Sequence, residues 1–206
     1  MAEKRGNHVW STPKCGISFV DKHLRHISKP IDYKFIVVRN PYKRLVSFYK
    51  NKVVYMGHPP HVDIHKEIDT IKKVPHYGVI KTDASFEEFI KSLSGTNVRN
   101  LERHLRPQFQ NVENIKFNKI VKLENFKEDM KDVCDSLDID YSIVNKTKEN
   151  SFKGTSEISE IVYDKPAIWF IENAFPKNYE FFYNEELKDI VYNLYKKDFK
   201  LFNYTK

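Results

Sequence analysis

Cysteine is scarce, with two in 206 residues, Cys15 and Cys134. That excludes a disulfide scaffold and makes a reducing compartment the simpler reading. No apolar run approaches the roughly 18 residues that a membrane span needs. The opening stretch MAEKRGNHVW carries charge but lacks an apolar core, so it does not read as a signal peptide. A soluble chain of the cytoplasm is therefore expected. There is no internal repeat and no low-complexity linker. The P-loop pattern G-x-x-x-x-G-K-[ST] and the dinucleotide pattern G-x-G-x-x-G are both absent.

What is present is a globular composition, 40% apolar and 14% aromatic. The Phe and Tyr residues are spread over the whole length, which favours one continuous core and a single domain over residues 1–206. The net charge of +7 and a pI near 9.1 suit an anionic partner: nucleic acid, nucleotide, anionic polysaccharide or a membrane surface. A lysine-rich surface that merely confers solubility explains the same numbers. Binding of nucleic acid has only the pI behind it, since no motif of interleaved aromatic and basic residues supports it.

Periodicity predicts strands at 8–11, 34–38 and 117–123, and helices at 17–27, 41–53, 85–93, 126–137 and after Asn184. Pro41 suits a first helical position after the cap residue Asn40. Ser85 with Glu88, and Asn125 with Glu128, read as helix-capping pairs. Residues 55–83 form a long excursion with four histidines and three prolines, a length of loop unusual without a function. Strands alternating with helices indicate α/β architecture: a P-loop-like parallel sheet flanked by helices, with ligands at the carboxyl ends of the strands.

Two motifs lie at such strand ends. The first is TPKCGIS, residues 12–18. Gly16 permits close approach of backbone to a ligand, and the amides of Cys15, Gly16, Ile17 and Ser18 open the next helix, where backbone dipoles favour an anion. Lys14 adds a charge. An ordinary strand-to-helix turn would look the same. The second is Arg39, which can fork onto a phosphate, with Ser47 about two turns into the following helix. An arginine paired with a carboxylate and a serine facing solvent form the plainer alternative. Together, the two motifs suit a nucleotide phosphorylated at two separate places.

TPKCGIS resembles the 5′-phosphosulfate loop of sulfotransferases, P-K-x-G-[TS]-[TS]. VVRNPYKRLVSFY resembles their 3′-phosphate motif, R-[DN]-P-x-x-R-x-x-S-x-Y, through Arg39, Asn40, Pro41, Arg44, Ser47 and Tyr49. Further along, RHLRPQ, VKLENFKEDM, VNKTKE and YKKDFKLFNY resemble, in order, segments of carbohydrate sulfotransferases of the family-2 type. The resemblance covers most of the chain and least of 55–83 and 154–180. It implies transfer of a sulfuryl group from 3′-phosphoadenosine 5′-phosphosulfate (PAPS) to a hydroxyl acceptor of carbohydrate type, an anionic glycan among the candidates, with no metal. It places Lys14 on the phosphosulfate as a catalytic residue. It gives the 5′-phosphate to the amides of Cys15, Gly16, Ile17 and Ser18, and the 3′-phosphate to Arg39 and Ser47. A loop at Lys146, Thr147 and Lys148 would close over the donor.

The chain departs from the family where relatives usually carry another strand and helix between the two motifs, often with the catalytic base. Only residues 19–34 separate them here. His104, in RHLRPQ, is the leading candidate for a base or acceptor-site residue; a loop histidine bonded to backbone is the alternative. His23 and His26 are expected on the exposed side of the first helix. His58, His61 and His65 have a spacing that permits a metal, but intervening prolines and the lack of a cysteine favour an acceptor-binding or disordered loop. Cys15 can act as a nucleophile at a helix N-terminus or serve in packing, and the family pattern favours packing. Cys134, Trp10 and Trp169 read as core. A module that binds PAPS or its product without catalysis, having lost the base, is the second functional expectation.

Overall fold

A computed structural model describes residues 1–29, 31–55, 83–145, 155–156 and 158–206. The chain divides into two compact units. The first comprises Met1–Asn40, Arg103–Asn150 and Lys196–Thr205; the second comprises Pro41–Glu102, Ser151–Tyr195 and Lys206.

The first unit is built on a four-stranded sheet of β1 (Glu3–Lys4), β2 (Val9–Ser11), β3 (Phe35–Val38) and β4 (Lys119–Lys122), paired in that order. β1 is an antiparallel edge strand that hydrophobic periodicity does not reveal, because it is two residues long and charged. β2, β3 and β4 are mutually parallel, with Ser11 opposite Val37 and Val38 opposite Lys122. All four β3 residues are buried. Successive side chains alternate between the faces of the sheet. Phe35 and Val37 join one core cluster with Val9, Val121 and Cys134, while Ile36 and Val38 join another with Trp10, Phe109 and Phe202. A parallel sheet covered on both faces explains why FIVV is apolar throughout instead of alternating.

Helix α1 (Ile17–Phe19) continues through a wider π turn at Val20–Leu24, closed by the Arg25 amide on the Val20 carbonyl at 2.9 Å. It is shorter than the predicted 17–27 and, among the described residues, is the helix that joins β2 to β3. His8 anchors the return. Its Nδ1 lies 2.9 Å from the Tyr33 carbonyl, and its Nε2 accepts the Lys29 amide at 3.2 Å, so Nδ1 is the nitrogen that donates.

The second unit contains helix α2 (Pro41–Phe48), which runs on as a π segment at Tyr49–Tyr55, and helix α3 (Phe86–Leu93). α3 opens on the predicted capping box, with the Glu88 amide on the Ser85 hydroxyl at 3.1 Å and the Ser85 amide on the Glu88 carboxylate at 3.0 Å. Aromatic rings fill this unit's interior. Tyr49 lies within 6.3 Å of the rings of Phe86, Phe89, Phe170 and Phe182. Its hydroxyl donates to the Ala84 carbonyl at 2.8 Å.

In the first unit, helix α4 (Phe126–Leu137) corrects an expectation. Asn125 makes no capping bond with its side chain. The chain enters α4 through a tight turn at Leu123–Asn125, which takes Asn125 out of the extended geometry a cap residue needs. Asp129 in the first turn of α4 reaches back past that turn, accepting the amide of Lys122 at the end of β4 at 2.7 Å. After α4 comes the short helix α5 (Ser142–Asn145).

In the second unit, strand β5 (Thr155–Ser156) pairs in parallel with β6 (Phe175–Pro176), and helix α6 (Ala167–Asn173) lies between them in sequence. Trp169 on α6 is half-buried, with Lys165 over its ring, and not the core residue expected. The last helix, α7 (Glu185–Leu201), is capped as predicted by Asn184, which accepts the Leu187 amide at 2.8 Å. α7 contributes to both units, and its backbone leaves helical geometry at Tyr195.

Candidate donor site at the strand ends

The parallel pairing puts the carboxyl ends of β2, β3 and β4 side by side, the position at which α/β sheets bind ligands. β2 leads into the TPKCGIS loop, β3 into Arg39, and β4 into Leu123 and Glu124. Adjacent strands therefore carry the two motifs that are separate in sequence.

The loop is tightly made. The Cys15 amide donates to the Thr12 carbonyl at 3.1 Å, and Lys14 sits in the left-handed region at φ 69°. A non-glycine residue there stores strain of a kind that concentrates at functional sites. Gly16, at φ 72°, opens α1, and a Cβ on it would lie 3.4 Å from Leu123 Cδ1. The first amides of α1 have no preceding turn of carbonyls to bond. Of the residues predicted here, Cys15 is fully buried, Lys14, Gly16 and Ile17 are partly exposed, and Ser18 is exposed. The Cys15 amide is committed to Thr12 and so is not offered to an anion.

Arg39 joins this loop directly, with its Nη1 donating to the Lys14 carbonyl at 3.3 Å. Its backbone is bonded through both amide and carbonyl to the side chain of Gln108. The next residue, Asn40, gives its amide to Glu124 Oε1 at 3.0 Å, and Glu124 Oε2 accepts the Tyr204 hydroxyl at 3.0 Å. Burial, and then the Glu124 charge, push the Tyr204 hydroxyl well above the usual tyrosine range, so it stays a donor.

The remaining predicted residues fall elsewhere. Ser47 is buried on α2 in the second unit. In the same motif, Arg44 and Tyr49 are core residues of that unit, Arg44 1% exposed with its guanidinium 5.5 Å from the Tyr195 ring centre. His104 is half-buried in the loop that leads to Gln108. His23 is half-buried against the Phe19 ring and His26 is exposed. Lys146, Thr147, Lys148, His58, His61 and His65 lie outside the described residues. Among the described residues there is no group of three His, Cys, Asp or Glu placed to hold a metal ion.

A model of the sulfotransferase family matches residues 9–205, nearly the whole chain. The chain belongs to the sulfotransferase family. No curated protein and no solved structure gives a match. As a family-2 sulfotransferase it is a transferase of sulfuryl groups, and no helix among its described residues is long and apolar enough to cross a membrane.

Motif spacing did not single out Gln108, Glu124, Asp198 or Tyr204. Each nevertheless lies in one of the ordered downstream segments, RHLRPQ, VKLENFKEDM or YKKDFKLFNY. Those segments supply the residues that brace the strand ends of this sulfotransferase, and their persistence in order was the available signal.

Proposed function

We propose that the chain transfers a sulfuryl group from PAPS to a hydroxyl acceptor of carbohydrate type, and that residues 1–206 act as one sulfotransferase domain. The observation that carries this is the 3.3 Å bond from Arg39 to the Lys14 carbonyl, which unites the two anion-binding motifs at neighbouring strand ends. The donor fits the residues present: opposed anions need fixed cations and amides, and the loop and Arg39 provide both.

Lys14 would steady the phosphate oxygen that leaves as the bond to sulfur breaks. The amides of Gly16, Ile17 and Ser18, on the turn built at Cys15, would hold the 5′-phosphate. Arg39 would take the 3′-phosphate, and Ser47 is assigned to that phosphate by the family motif alone. Lys146 and Thr147 are assigned by resemblance to a loop over the donor. His104 is proposed to receive the acceptor's proton as its oxygen bonds to sulfur. Positioning and fixed positive charge are the main demands of such in-line transfer. The basic surface, +7 overall, supports an anionic glycan as acceptor.

A second reading, a module that binds PAPS or its product without catalysis, is favoured by the short β2–β3 connection, which among its described residues holds α1 and no further strand. Labelled donor offered to a panel of glycans separates the two: transfer supports the enzyme, whereas nucleotide binding with no transfer to any acceptor supports the module. Arg39→Ala is expected to weaken binding of adenosine 3′,5′-bisphosphate by at least about tenfold while leaving adenosine 5′-monophosphate within about threefold. Equal losses would count against the assignment. Lys14→Ala is expected to reduce turnover more than donor affinity.

A further inference from the structure

We propose that Gln108 is a positioning residue that locks Arg39 to the 12–15 loop and so sets the spacing between the two anion grips of the donor site. The inference rests on the donor-site reading above.

The β2–β3 ladder ends at the Ser11–Val37 pair. Beyond it, no strand pairing holds Thr12, Lys14 or Arg39 in register. The Gln108 carboxamide takes over at this point. Its Oε1 accepts the Arg39 amide at 2.9 Å, and its Nε2 donates to the Arg39 carbonyl at 2.7 Å, as a neighbouring strand would. The same Oε1 lies 3.2 Å from both the Thr12 hydroxyl and the Cys15 thiol. One side chain thus ties the backbone of Arg39 to both ends of the turn that carries Lys14. Arg39 presents one donor and one acceptor, so the amide can be seated only one way round.

Gln108 is itself held from behind. Asp198 accepts the amides of Gln108 and Phe109, each at 2.8 Å. Both Gln108 and Asp198 are 0% exposed. A buried carboxamide and carboxylate are costly unless every bond is made. An apolar side chain would fill this space but could not fix the direction in which Arg39 leaves the strand.

The test is isothermal titration of wild type, Gln108→Met and Thr12→Val with adenosine 3′,5′-bisphosphate and adenosine 5′-monophosphate. The ratio of the two dissociation constants measures what the 3′-phosphate contributes. In Gln108→Met that ratio is expected to shrink about tenfold. In Thr12→Val, which removes one of the two loop bonds and leaves the Cys15 contact and both bonds to Arg39, both nucleotides are expected to weaken while the ratio stays within about twofold. If Gln108→Met does not fold, Gln108→Asn, whose amide is withdrawn by one methylene, carries the same expectation. A preserved ratio in the folded Gln108 variant, with parallel weakening of both nucleotides, would show a merely structural role and overturn the proposal. Failure of the wild type to bind the bisphosphate would instead overturn the donor-site reading, and the clamp with it.

Discussion

At the scale of single residues, backbone conformation matters as much as side-chain chemistry. Lys14 and Gly16 both have positive φ, and they flank the buried Cys15 in a turn closed by the Thr12 carbonyl. Gly16 is the position where substitution is diagnostic. Gly16→Ala would place a Cβ at φ 72°, at a conformational cost of about 1–2 kcal/mol. The nearest atom, Leu123 Cδ1 at 3.4 Å, is in ordinary contact, so crowding adds little. Gly16→Ala is therefore expected to lower the urea midpoint modestly and to weaken 5′-phosphate nucleotides, because relief of the strain rotates the amides that follow. A loss of stability with unchanged nucleotide affinity would dissociate the turn from the donor site. Gly16 was legible from the motif. The strain at Lys14 was not, since no residue type announces it.

At the scale of elements, the helix starts separate what local sequence decides from what packing decides. Ser85 and Glu88 form their reciprocal cap within four residues. Asn125 and Glu128 have the same spacing and form none, because the Leu123–Asn125 turn holds the entry of α4, with Asp129 bonded across it to the Lys122 amide. Ser85→Ala is accordingly expected to cost about 1 kcal/mol, whereas Asn125→Ala stays within about 0.5 kcal/mol, both read from chemical-denaturation midpoints. A comparable loss for Asn125→Ala would mean that its side chain caps α4 in solution. β3 was readable from FIVV, since a strand buried on both faces needs no alternation. β1 was not, and it exists by pairing with β2.

At the scale of the whole molecule, buried tyrosines set the response to alkali. Burial raises the hydroxyls of Tyr49 and Tyr183 well above the ordinary range and lifts Tyr42 to about 12. Each hydroxyl also donates to a backbone carbonyl: Tyr49 to Ala84, Tyr183 to Tyr42, and Tyr42 to Lys188. In the unfolded chain these groups ionise near pH 10, while in the folded chain they keep their protons. Stability from this source is complete below about pH 10 and is lost as pH rises from there towards the folded values, at about 1.4 kcal/mol per pH unit for each tyrosine still protonated. Denaturant melts between pH 9 and 11 should show that decline, and Tyr49→Phe should flatten it. An unchanged slope in Tyr49→Phe would mean that its hydroxyl titrates freely in the folded state.

The sequence by itself determined the chemistry of the strand ends. A lysine and a glycine in TPKCGIS and an arginine after FIVV are local patterns, and with their ordered companions they led to the family that the family model matches over residues 9–205. Tertiary structure decided which of these groups meet. Parallel pairing of β2 with β3 brings Arg39 onto the Lys14 carbonyl, and Gln108 and Asp198, distant in sequence, hold that meeting in place. The same motif also contains Arg44 and Tyr49, which burial converts to core residues of the second unit. Residue type and spacing report what a side chain can bond. Only the folded backbone decides whether it faces a neighbour, a core or a ligand, because hydrogen bonds and burial depend on distances that sequence separation does not encode.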